Sequence, residues 1–112
     1  MKLRFSEKAL EQLKAKNQWT NLCFNTIERL GLDDRGVNRF IMLANVKNIS
    51  DYDHAIDTPI GKVHYQEEVS RILDKDNEID YDDYRHAFIL LVNGQVVEDD
   101  IPVMNELKKI DK

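Results

Sequence analysis

The residues best placed to do chemistry are the cations near the start of the chain. Lys2 and Arg4 alternate with Leu3 and Phe5. An extended backbone there puts two positive charges on one face and two apolar groups on the other. Arginine can clamp a phosphate or read guanine, whereas lysine acts as a point charge. Lys8, Lys14 and Lys16 follow as further backbone-contact candidates. Thr20 and Asn21 stand where a second helix would begin, and the free N–H groups of a helix start can hold phosphate without a cation. Such a set would grip a nucleic-acid backbone. The plainer reading of the same charges is an ordinary solvated surface.

Other reactive groups are sparse. LDKDNEIDYDDYRHAF, from Leu73 to Phe88, resembles a calcium-binding helix-loop-helix. It is two residues short, lacks the glycine of the sharp turn and ends at Asp83 rather than a bidentate glutamate. It therefore reads as an acidic loop between helices. His54, His64 and His86 have no partner at ligand spacing, although Asp51, Asp53 and Asp57 surround His54. Asp82 and Asp83 are adjacent, so on a helix they point to different faces, which is poor for paired acid/base work. Cys23 is the one cysteine; it forms no internal disulfide and reads as a buried, inert thiol. Trp19 reads as a core or interface plug. Gly-rich phosphate loops and nucleophile elbows are missing, so the expectation is no enzyme, no cofactor and no metal.

The elements that must position these groups are predicted to be mainly α. Ser6 caps a helix with Ala9, Leu10 and Leu13 as its apolar stripe. Asn17-Gln18-Trp19 breaks it. A second helix carries Leu22, Cys23, Ile27 and Leu30 on one face and stops at Gly31. The order β-α-α is that of a ribbon-helix-helix unit over residues 1–32, with a helical remainder over 33–112, in a single domain. Leu32 to Gly36 is a turn by composition. The apolar run within Val37 to Val46 suits a buried strand or a buried helix turn equally. Residues 47–58 read as a loop, and Thr58-Pro59 opens a helix to Asp74 with Tyr65, Val69, Ile72 and Leu73 inward. HAFILLVNGQVV is open between two readings: a helix stopped by Gly94, preferred for its acidic first turn, and a hairpin turning at Asn93-Gly94. A last helix starts near Asp100 and Pro102, with Val103, Leu107 and Ile110 inward and Lys108 and Lys109 at its end.

Length and charge bound the function. The chain has 112 residues and a net charge of -5, which suits one domain and argues against a general nucleic-acid binder. The charge is unevenly spread. Residues 1–47 hold nine Lys/Arg and five Asp/Glu, a balance of +4, while residues 48–112 hold seven and sixteen, a balance of -9. A basic N-terminal face on an acidic body can still meet phosphate locally. No apolar run approaches the ~18 residues of a membrane span, and no secretory signal precedes the first strand. A cytoplasmic protein without membrane contact is expected.

The stretch LRFSEKALEQLKAK, the segment from Asn21 to Leu32, RGVNRFIMLANV with its Asn38-Arg39-Phe40 and Leu43, and YRHAFILLVNG together resemble the DndE family of bacterial DNA phosphorothioation systems. The resemblance spans about half the chain. It departs at Asn17-Gln18-Trp19, where the family has a Thr-Gly break, in the position of Cys23 and in the spacing from His86 to Gly94. It implies a small, mainly helical, oligomeric protein, dimer or tetramer, without catalysis. Such a protein would bind duplex or nicked DNA beside other proteins of a DNA-modification complex in bacterial defence. The resemblance adds Arg39 to the nucleic-acid-binding candidates. The alternative is an acidic protein-interaction module, of the inhibitor, immunity or nucleic-acid-mimic type, with no DNA affinity.

Overall fold

A computed structural model describes residues 1–28 and 38–105. Over these residues it is mainly β with one α-helix, which overturns the mainly α, ribbon-helix-helix expectation. In chain order the elements are β1 (Lys2–Phe5), α1 (Glu7–Ala15), β2 (Cys23–Glu28), β3 (Asn38–Ala44), β4 (His54–Thr58), β5 (Gly61–Tyr65), β6 (Asp76–Asp82), β7 (Ala87–Val92), β8 (Gln95–Ile101) and β9 (Val103–Asn105). Two short 3-10 turns, Ile49–Asp51 and Glu67–Arg71, complete the described chain.

The strands form two mixed sheets. One has the order β1-β6-β7-β8, the other β4-β5-β2-β3-β9. Their inner faces meet in one core that includes Leu3, Phe5, Phe24, Phe40, Val63 and Ile79, with Ala9 and Leu13 of α1 packed against it. The alternation of strand side chains produces this directly. In β6, Asn77, Ile79 and Tyr81 are buried while the four acidic residues between and beside them face outward.

The first fifteen residues fold as expected. Leu3 and Phe5 are buried and Lys2 and Arg4 exposed. Ser6 Oγ accepts the Ala9 N–H at 3.1 Å, capping α1. The helix ends where Asn17 takes a left-handed φ of 55°.

Beyond that point helical spacing misleads. The predicted second helix is β2, in which Phe24 turns into the core while Cys23 and Asn25 alternate to the other face. Its β-branched Thr26 and Ile27 suit a strand. Leu30, Gly31 and the turn Leu32 to Gly36 lie outside the described residues. The ambiguous run after Val37 resolves as β3, and the predicted loop 47–58 contains β4. The helix predicted from Pro59 is a tight turn, then β5. Thr58 Oγ1 accepts the Ile60 N–H at 3.2 Å and donates to the Gly61 carbonyl at 2.7 Å, and Gly61 has a φ of 108°, a conformation that a side chain would disfavour. The acidic interhelical loop is β6. The preferred helix over residues 86–97 is a hairpin: Asn93 and Gly94, at φ 52° and 83°, turn β7 into β8 as a type I′ turn requires. The last predicted helix opens instead as β9; Leu107, Lys108, Lys109 and Ile110 lie outside the described residues.

Candidate functional site

Two of the cations singled out from sequence, Arg4 and Lys8, pair with carboxylates. β1 lies parallel to β6, with Lys2 opposite Asp76 and Arg4 opposite Glu78. Arg4 is therefore flanked by carboxylates, at 2.5 Å from Asp76 and 3.5 Å from Glu78. The hydrogen bond to Asp76 is the main reason its guanidinium pKa is raised. Lys8 pairs with Asp83 at 3.1 Å. The Lys14 ammonium lies 5.7 Å from the centre of the Trp19 ring, and Trp19 is 39% exposed, so it is no core plug. Thr20 and Asn21 start no helix. The Thr20 carbonyl accepts the Asn45 N–H, and the Asn21 side-chain amide donates to the Val46 carbonyl at 3.1 Å. Asn21 itself is left-handed, at φ 47°.

Arg39 works as a clip between the sheets. From β3 its guanidinium donates to the Asp100 backbone carbonyl on β8 at 2.7 Å, with the Asp100 carboxylate 3.7 Å away. Its Nε is buried without a hydrogen-bond partner. Glu98 shares this seam. It pairs in register with the core residue Leu90, so it points inward from an edge strand. Burial pushes its carboxyl pKa up, opposed by Arg39 and reinforced by Asp99 and Asp100.

A cavity of about 270 Å³ opens beside this seam. Lys16 and Gln18, just past α1, meet Tyr81 and His86 from the β6–β7 hairpin and Ile101 from β8. Only Lys16 of this group was among the sequence candidates. His86 was missed because it was placed on a helix; its left-handed φ of 56° has no sequence signature.

The cysteine lies elsewhere. Cys23 on β2 pairs in parallel register with His64 on β5, and His64 faces Ala55 on β4. These side chains share the face of the five-stranded sheet that turns away from the core. Cys23 is fully buried there, and its thiol lies 3.7 Å from the Asn21 carbonyl oxygen. Next along the same face, Tyr52 donates its hydroxyl proton to Asn25 Oδ1 at 2.9 Å. His54 bonds Glu67 at 2.6 Å and stacks on Tyr65. The bond to His54 is the largest of the influences holding the Glu67 carboxyl below its usual pKa.

A family model described as iron-sulphur cluster biosynthesis matches residues 1–105. The chain belongs to the iron–sulphur cluster biosynthesis family. Two solved structures share the fold of this family member. A proposed Fe–S biosynthesis protein from Lactobacillus salivarius superposes with a TM-score of 0.70 at 15% identity, covering 94% of this chain and 98% of that one. Another, from Lactobacillus acidophilus, gives 0.71 at 16% identity, covering 94% and 90%. No curated protein sequence matches significantly. The family match overturns the resemblance to DndE, and with it the DNA-binding accessory role, the phosphorothioation and defence context and the ribbon-helix-helix unit. Nor does it support the inhibitor or nucleic-acid-mimic alternative.

The family raises the question of cluster ligands. Iron–sulphur clusters are held by cysteine thiolates, with histidine in some sites. This family member has one cysteine. Among the described residues no three His, Cys, Asp or Glu side chains come together as a metal site. The residues present do not fit a cluster's ligand set. Among the described residues, no helix is long and apolar enough to cross a membrane.

Proposed function

We propose that this chain serves iron–sulphur cluster assembly as a non-catalytic cytoplasmic helper that acts through other proteins and does not itself hold the cluster. The family match supports the process. One observation carries the manner: the single cysteine is fully buried in a central strand. Side chains of a strand project from the faces of its sheet, so presenting the Cys23 thiol to iron would require moving the groups that cover this face of β2.

Anaerobic reconstitution with ferrous iron and sulphide tests this. After gel filtration the wild-type protein is expected to retain no stoichiometric iron and no visible cluster absorption, and Cys23→Ala is expected to behave identically. A stoichiometric cluster on the wild type that disappears in Cys23→Ala would overturn the reading.

A further inference from the structure

The cavity at the seam collects donors that the fold itself does not use. Among the described residues, the side chains of Lys16, Gln18 and His86 and the Tyr81 hydroxyl make no hydrogen bond or ion pair. They come from separate parts of the chain, so local sequence does not explain their convergence. Most of the exposed lining is polar, with small apolar edges of the buried Phe88 and Ile101 among it. Convergent polar groups in a concave place fix the orientation of a small ligand. The volume of about 270 Å³ leaves space for a ligand of about ten non-hydrogen atoms.

Charge selects the ligand. Lys16 contributes a positive charge and His86 a ring N–H donor. The one carboxylate on the wall, Asp100, has the Arg39 guanidinium 3.7 Å away, which offsets its repulsion of an anion. We propose that this cavity binds a small organic carboxylate, its anionic end between Lys16 and His86 and its apolar part against Phe88 and Ile101. The site is independent of Cys23 and of cluster ligation, so it stands or falls separately from the helper role.

The test is an amide NMR titration of the full chain with sodium benzoate, with benzyl alcohol as the uncharged analogue. Saturable shifts are expected around Lys16, Gln18, His86 to Phe88 and Ile101, with benzyl alcohol at least tenfold weaker. Lys16→Gln and His86→Asn should each weaken benzoate about tenfold; asparagine suits the left-handed turn, so the fold is retained. The proposal is overturned if benzoate gives no saturable shifts there, if the alcohol binds equally well, or if both variants bind benzoate like the wild type.

Discussion

Glu98 shows what one side chain can impose. An acid pointing inward from an edge strand discourages that edge from pairing with another chain. The same placement raises its carboxyl pKa, chiefly through burial. A carboxyl whose folded pKa is above its unfolded value binds its proton more readily when folded. Its favourable contribution is therefore fully present below the unfolded pKa and is lost as pH rises through the folded one. Glu98→Gln should raise the urea midpoint at pH 7, and the advantage should shrink as pH falls through the acid range. An equal gain at both ends of a pH series would show that the effect is not this carboxyl's titration. Charge composition revealed Glu98 as one of many acids. Only the bulged register of β7 against β8 turns it inward, and no local pattern encodes that.

At the scale of elements, legibility followed locality. β1 and α1 were readable because alternation, cap and stripe lie within fifteen residues. The β6–β7–β8 meander was not, because an acidic first half and periodic aromatics imitate a helix with a charged start. The Asn93-Gly94 pair was the stronger signal, since it names a specific backbone conformation while helical spacing over an apolar run does not. Gly94 has open space where a Cβ would go, so replacing it meets backbone strain and no clash. Gly94→Ala should destabilise the protein by about 1 kcal/mol, read from denaturant unfolding. No loss would mean that the turn relaxes to another type. Of the candidate site, Lys16 was visible as a charge. Its companions Gln18, Tyr81 and His86 were not, because only folding brings them together.

The whole molecule is closed by a contact no local pattern announces: β1 against β6, residues 2–5 beside 76–79. Asn77 secures it. Fully buried, its amide donates to the Lys2 and Asp74 carbonyls, both at 2.8 Å, and its oxygen accepts the Asp74 N–H at 2.9 Å. Asn77→Ala leaves those part-buried groups without their partner, and a loss of about 1–3 kcal/mol is expected, measured by urea unfolding. A change within a few tenths would show that water replaces the amide.

That clasp also sets an order of events during synthesis. β1 leaves the ribosome ahead of β6, its strand partner among the described residues, which emerges some seventy residues later. At ~5–20 residues per second, the nascent chain spends several seconds with Leu3 and Phe5 unburied. β1 is thus made well before it is secured, and a chaperone acting on this protein during translation would find an apolar target there.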